Sequence, residues 1–352
     1  MDIHAFRNNF APVLEQAVQQ HISAFQTTAS DPFLGASVAH VAQLVAGGKR
    51  LRPYLAAVGY AAGGGTDANT VLRLGVGLEL FHVFCLIHDD IIDKAATRRG
   101  VPTVETWIAT QLRTDDRRGD TGHLAKSSAI LIGDLVFSWA NQHVSAAALA
   151  CSSPQDVLTE YHGMVDEVVV GQMIDVDTMT RDEHAPELLE RKMYLKTAGY
   201  SFVRPLRIGL LASGNSTPEM LAAMTAMGTP MGLAFQLQDD LLDIVSTPDV
   251  LGKPTLSDIC DGQQTLLTAF IAKHGTNEEQ SLLRRVMRGE GGGADVEALR
   301  AIMVNGGAVA HVEQRIDALW AEARSAVAEA PMPEDIRQSF TVLIAALVAR
   351  AR

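Results

Sequence analysis

The sequence predicts an all-helical bundle, and three observations carry that expectation. Ala and Leu are plentiful while aromatic residues make up only 5% of the 352 residues, a balance that favours helix over sheet. The two-residue alternation of a half-buried strand is nowhere sustained. Residues 71–92 are apolar on nearly every side, with Leu72, Leu74, Val76, Leu78, Leu80, Phe81, Val83, Phe84, Leu86 and Ile87. A helix without a polar face belongs at the centre of a bundle.

The punctuation around that helix follows in order. The run Ala62-Gly63-Gly64-Gly65-Thr66-Asp67 breaks the chain before it, and the polar TRRGVP at 97–102 follows it. The hydrophilic RTDDRRGDTGHLAK at 113–126 reads as an exposed loop between helices. Helix starts are signalled by STPE at 216–219 and by TNEE at 276–279, the latter as a capping box. Glycines at 291–293 and at 306–307 divide the last third. With no low-complexity linker and no sharp shift in composition, residues 1–352 are expected to form a single domain.

The net charge of −12 comes from 29 basic and 41 acidic residues without a long basic block, which argues against a nucleic-acid partner. Three cysteines, Cys85, Cys151 and Cys260, lack metal-type spacing and suit a reducing compartment. No uninterrupted apolar run approaches about 18 residues and the amino terminus lacks a signal-like pattern. A soluble, cytoplasmic protein without an integral membrane segment is the expectation.

Function is most readable in a duplicated carboxylate pattern. Asp89-Asp90-Ile91-Ile92-Asp93 and Asp239-Asp240-Leu241-Leu242-Asp243 lie 150 residues apart, each inside an apolar run. On a helix the first and fifth positions share a face, so each pattern aims two carboxylates in one direction. Carboxylates this close repel one another and call for a cation between them. A hard divalent ion fits, since Mg²⁺ takes oxygen ligands and shares them with substrate phosphates. One solvated acidic edge would be unremarkable; two equivalent ones in apolar settings point to helices lining a common cavity.

Basic groups cluster where an anion could be held. GGKRLRP at 47–53 places two glycines before Lys49 and Arg52, so backbone amides and cations can converge. Arg98 and Arg99 follow the first acidic pattern, and Lys196-Thr197 and Gly252-Lys253-Pro254 add two further candidates. His82 lies seven residues before Asp89 on a similar helix face; alone, it would read as a satisfied core residue.

Together these motifs resemble the trans-isoprenyl diphosphate synthases, the polyprenyl synthetase family. The resemblance runs through GGKRLRP at 47–53, His82 with LIHDDIID to Asp93, TRRGVPT at 97–103 and GDL at 133–135. It continues through GQMID at 171–175, KTA at 196–198, FQLQDDLLD at 235–243 and GKP at 252–254. The stretch KTAGYSFVRPLRIG and the loop around His123 look most like bacterial, especially actinobacterial, short-chain members. The resemblance implies the all-α isoprenoid synthase fold, with helices around a deep central cavity, and a homodimer. It implies that Asp89 and Asp93 bind two Mg²⁺ and Asp239 a third, supported by Asp90, Asp240 and Asp243. Arg98, Lys196 and Lys253 would assist the allylic diphosphate, and Lys49, Arg52, His82 and Arg99 would bind isopentenyl diphosphate. Thr197 and Gln236 match positions lining the reacting carbons. The implied reaction ionises the allylic diphosphate, lets the isopentenyl double bond attack, and returns the proton to released diphosphate.

One departure stands out: where relatives show Gly-Lys-x-Thr, this chain has Gly262-Gln263-Gln264-Thr265, so a cation is absent at Gln263. Phe84, five residues before the first Asp, with Cys85 beside it and Phe81 one turn below, resembles the pocket floor of short-chain enzymes. Geranylgeranyl diphosphate is the favoured product and farnesyl diphosphate the alternative. Three rival readings stand beside it. A class I terpene cyclase would not need the isopentenyl-binding cations. A di-iron bundle is suggested by Glu79-Leu80-Phe81-His82 but needs a second Glu-x-x-His. A non-catalytic partner subunit is suggested by Gln263.

Overall fold

The computed structural model describes residues 2–182, 185–246 and 256–349. Among them, strand occurs only as a two-residue hairpin, Thr97–Arg98 (β1) paired antiparallel with Val101–Pro102 (β2), with Thr97 opposite Pro102. Everything else regular is helix, as the composition predicts. The chain divides into two compact units, residues 1–158 with 211–214 and residues 159–210 with 215–352.

The first unit is built around α5 (Ala68–Ile92), three residues longer at its start than the apolar pattern alone suggests. Asp67 caps it, accepting from the amides of Asn69 and Thr70 at 3.1 Å, which satisfies donors that a helix start leaves unpaired. Its side chains Leu74, Val76, Leu78, Leu80, Phe81, Val83 and Ile87 are buried, each contributing about 1.5–3 kcal/mol relative to exposure. The unit also holds α1 (Ile3–Ala29), α2 (Pro32–Ala39), α3 (Val41–Ala46), α4 (Leu51–Ala62), α6 (Val104–Thr114) and α7 (Thr121–Ala148). Helix α5 packs along α7 and α4. Two glycines permit the close approach to α7. A Cβ on Gly77 would lie 2.5 Å from Val144, and one on Gly133 would lie 2.2 Å from His88 Nε2. The polar segment 113–126 is the expected exposed loop between helices over 115–120 only. Most of it is helical, α6 running to Thr114 and α7 starting at Thr121, because the Asp120 side chain caps α7 by accepting from the His123 amide.

The second unit takes up the rest of α8 (Pro154–Thr178), then α9 (Pro186–Met193), a π-helical segment (Tyr194–Val203), most of α10 (Arg204–Ala212) and α11 (Pro218–Val245). Five helices of eight or more residues follow: Leu266–His274, Asn277–Met287, Gly293–Asn305, Ala308–Glu329 and Glu334–Ala349. Thr217 caps α11, and Thr276 with Glu279 forms the expected capping box. Helix α11 packs against the π segment and against Ala308–Glu329.

By length and composition α5 and α11 could each cross a membrane, although 67% of the most apolar stretch of α5 and 44% of that of α11 is buried within the protein.

Candidate active site

The basic cluster of the first unit starts from a strained turn. Gly48 has φ +121° and Arg50 has φ +55°, and the left-handed conformation is unfavourable for a residue with a Cβ. Arg50 is held there by burial of its guanidinium, which donates to Glu79 Oε1 at 2.6 Å and to the Val45 carbonyl. Arg99 reaches the same turn from the hairpin, donating from Nη1 to the Gly47 carbonyl at 2.8 Å. A side chain at Gly48 would meet Arg99 Nη1 at 3.0 Å and Arg50 Nη1 at 3.2 Å, so glycine keeps open the space between two guanidiniums. Burial and then the charges of Arg52, Arg99, Arg98 and Arg50 drive the His82 pKa well below its ordinary value, leaving a neutral imidazole among arginines. Of the sequence-predicted set, Arg52 and Arg99 thus share the neighbourhood of His82, and Lys49 lies on the same turn between Gly48 and Arg50.

The first acidic pattern closes α5. Asp93 is its C-cap, its amide donating to the Asp89 carbonyl at 2.8 Å. Asp89 and Asp93 are half-buried, whereas Asp90 is only 3% exposed. Arg98 holds Asp90 Oδ1 with Nε at 2.7 Å and Nη2 at 2.5 Å. Burial pushes the Asp90 carboxyl up, with Arg98 opposing and Asp89 adding to the rise. One turn back, Phe84 meets Phe81 at 5.6 Å between ring centroids, Phe137 of α7 at 4.8 Å and His88 at 4.7 Å. Phe81 is fully buried and Cys85 half-buried, and no disulfide links the three cysteines.

The second unit presents the other pattern on α11. Thr197 Oγ1 donates to Gln236 Oε1 at 2.7 Å, and Gln236 Nε2 donates to Asp240 Oδ1 at 2.7 Å. Burial pushes Asp240 up to about 7, with Gln236 and Lys192 opposing and Asp258 and Asp239 adding to the rise. Asp239 is half-buried and Asp243 buried. Lys196 Nζ donates to Asp175 Oδ2 at 2.5 Å, and Lys192 Nζ takes Oδ1 at 2.8 Å and the Gln264 carbonyl at 2.7 Å. Lys196 and Thr197 ride on the π segment, where a Cβ on Gly171 of α8 would fall 2.5 Å from the Lys196 nitrogen. On the opposite side a Cβ on Gly232 of α11 would fall 2.4 Å from Ala198 Cα. The π-helix is the backbone form often seen at functional positions, and here two glycines admit it.

The donor set suits Mg²⁺. Among the described residues no three His, Cys, Asp or Glu side chains converge to cage an ion on their own. Mg²⁺ does not require such a cage, because it commonly takes one or two carboxylates and fills its shell with water and substrate phosphate. Asp90 Oδ2 is buried without a hydrogen-bond partner among the described residues, so this carboxylate keeps an oxygen with ligand capacity.

Of the predicted residues, Lys253 lies outside the described residues. Gln263 is half-buried, its amide donating to the Asp258 carbonyl at 2.9 Å. Glu79 is committed to Arg50, which removes it from the di-iron reading. Sequence reasoning missed four participants: Arg50 as the anchor of the basic turn, Lys192 and Asp175 as an ion-paired cluster, and Phe137 as a partner of Phe84. Glu79, acidic within an apolar helix, was the available signal for the first, since a buried carboxylate requires a cation.

The sequence profile described as polyprenyl synthetase matches residues 36–303. A crystal structure of a geranylgeranyl pyrophosphate synthase from Corynebacterium glutamicum, complexed with isoprenyl diphosphate and magnesium, superposes with a TM-score of 0.87. It is 30% identical, covering 100% of this chain and 99% of that one. The short chain isoprenyl diphosphate synthase of Methanothermobacter thermautotrophicus is 32% identical over 249 residues, 69% of each chain. The geranylfarnesyl diphosphate synthase of Aeropyrum pernix is 28% identical over 337 residues, 95% of this chain and 99% of that one.

Proposed function

The chain belongs to the polyprenyl synthetase family of trans-prenyltransferases, and from that premise we propose that it condenses isopentenyl diphosphate with an allylic diphosphate to give geranylgeranyl diphosphate. Farnesyl diphosphate is the alternative product. The observation that carries the product length is the aromatic cluster of Phe84, Phe81 and Phe137, three rings at the position where the resemblance puts the floor for the growing tail.

Bound Mg²⁺ supplies Lewis-acid stabilisation of charge on the departing diphosphate. Asp89 and Asp93 would hold two ions and Asp239 a third, with Asp90, Asp240 and Asp243 as supports. The resemblance assigns Arg98, anchored on Asp90, and Lys196, anchored on Asp175, to the allylic diphosphate. Lys253 is assigned to the same anion by resemblance. Lys49, Arg52 and Arg99 bind isopentenyl diphosphate, and neutral His82 donates a hydrogen bond without adding a charge. Thr197 and Gln236 hold each other beside the reacting carbons. No side chain acts as nucleophile: the isopentenyl double bond attacks the allylic carbon, the carbon–oxygen bond to diphosphate breaks, and the released diphosphate takes the proton.

The family profile runs through both compact units, which supports one functional domain over residues 1–352. Helix α7 leaves Leu124, Ile130 and Leu131 exposed, apolar surface on one helix that supports a homodimer. The free thiols support a cytoplasmic location. The test is incubation of the purified protein with labelled isopentenyl diphosphate and each of dimethylallyl, geranyl and farnesyl diphosphate, with Mg²⁺ and with chelator, followed by sizing of dephosphorylated products. A Mg²⁺-dependent twenty-carbon product is expected. A cyclised hydrocarbon would favour the cyclase reading, and inactivity of the protein alone the partner-subunit reading.

A further inference from the structure

Asp175 is 2% exposed and lies between two lysines, one on each carboxylate oxygen. Burial raises its pKa, but Lys196 and Lys192 outweigh that and hold the carboxyl below its ordinary value, so it is ionised. The charges of the three groups are therefore two positive and one negative, a net of one positive. Lys196 is the more exposed of the two lysines, while Lys192 is buried at 7% and points its second hydrogen bond at the backbone of Gln264. If Asp175 faced Lys196 alone, the pair would be neutral and would offer a diphosphate no net charge.

We propose that Lys192 is a positioning residue that neutralises Asp175 so that Lys196 can present its full charge to the allylic diphosphate, standing in for the cation absent at Gln263. This inference deepens the function proposed above and rests on it for the identity of the anion. The link to Gln263 is structural. Lys192 bonds the carbonyl of the next residue, and Gln264 Nε2 donates to the carbonyls of Thr178 at 2.8 Å and Arg181 at 2.7 Å, fixing the 262–265 turn to the end of α8. The charge that the turn lacks in its own side chain reaches it from α9.

The arrangement makes a signed prediction that a merely structural lysine would not. Lys192→Met removes one positive charge and leaves Asp175 to cancel Lys196. Inorganic pyrophosphate with Mg²⁺, titrated into the full-length protein by calorimetry, should bind about tenfold more weakly, the loss of one charge-assisted contact. In turnover, the KM for the allylic diphosphate should rise similarly while that for isopentenyl diphosphate stays unchanged. Asp175→Asn combined with Lys192→Met removes one charge of each sign, restores the net of one positive, and should recover most of the lost affinity. Lys192→Gln keeps a donor for the Gln264 carbonyl but not the charge, and serves if the Met variant does not fold. Wild-type pyrophosphate affinity in a folded Lys192→Met or Lys192→Gln protein would overturn the proposal. So would a double variant that binds no better than Lys192→Met. Pyrophosphate binding reads the charge balance independently of turnover, whereas a wild-type protein that binds pyrophosphate yet makes no prenyl product would instead count against the proposed function.

Discussion

Replacing Glu79 by Gln should separate the stability of the basic turn from its role in binding. The Arg50 and Glu79 side chains are 6% and 3% exposed with 2.6 Å between them, so the change leaves a buried guanidinium without its counter-charge. Removing one partner of a buried pair typically costs 3–5 kcal/mol; the glutamine still accepts a hydrogen bond and the Val45 carbonyl remains, which places the expected loss at about 3 kcal/mol. At roughly 2–4 °C per kcal/mol, the melting temperature should fall by about 6–12 °C. Arg50 sits at φ +55° only because its head is held, so the turn carrying Lys49 and Arg52 should also loosen. The KM for isopentenyl diphosphate should therefore rise more than that for the allylic primer. Thermal melts with steady-state kinetics for each substrate provide the assay. The double replacement Arg50→Met with Glu79→Leu sharpens it, since an apolar pair can match a buried ion pair in stability while leaving the turn without its anchor. An unchanged melting temperature in Glu79→Gln, or equal effects on the two KM values, would refute the reasoning.

Asp89→Ala and Asp239→Ala should each nearly abolish turnover without lowering the melting temperature, and near-normal rates at saturating Mg²⁺ would remove them from the metal site. Gln263→Lys should lower the KM for the allylic primer by adding a cation beside the Lys192-bound turn; an unchanged or higher KM would show that the side chain does not face the diphosphate. Phe84→Ala should lengthen the product, with Phe81 as the next barrier. Truncating a packed ring costs about 3–5 kcal/mol and less beside a ligand-filled space, and an unaltered chain-length distribution from active enzyme would place the floor elsewhere. His21 and His143 share a 3.0 Å contact between their Nε2 atoms, and burial lowers both, His143 to about 4. A lowered histidine pKa means the folded state binds fewer protons, so stability should be full above about 6.5 and fall as pH drops toward 4. Melts of His143→Phe should show a weaker slope across that range, and parallel slopes would assign the loss to other groups.

The helical class was legible because periodicity and composition report backbone preference directly, and the paired Asp patterns were legible because their spacing carries the chemistry. The partners of those groups were not. Arg98 read as a ligand for phosphate, yet the structure also commits it to Asp90, eight residues earlier, through a hairpin whose geometry no local pattern encodes. Lys192 and Asp175, seventeen residues apart, meet only in the folded second unit, one near the end of α9 and the other near the end of α8. The segment 113–126 misled for a simpler reason. Its polar residues are the solvent faces and caps of two helices, and polarity alone does not distinguish those from a loop.

The π-helical segment also bears on how this sequence can be altered. An i→i+5 turn holds one residue more than an α-helical design would place there, so the faces before Tyr194 and after Val203 are out of phase by that surplus. Residues from Arg204 onward, including the guanidinium that grips Glu160 and Glu167, owe their direction to it. A deletion of one residue within 194–203 should favour the α-helical backbone and displace Lys196 and Thr197 from the places the π turn gives them between Gly171 and Gly232. Length, at this place in the chain, is as much a determinant of the chemistry as the identity of Lys196 or Thr197.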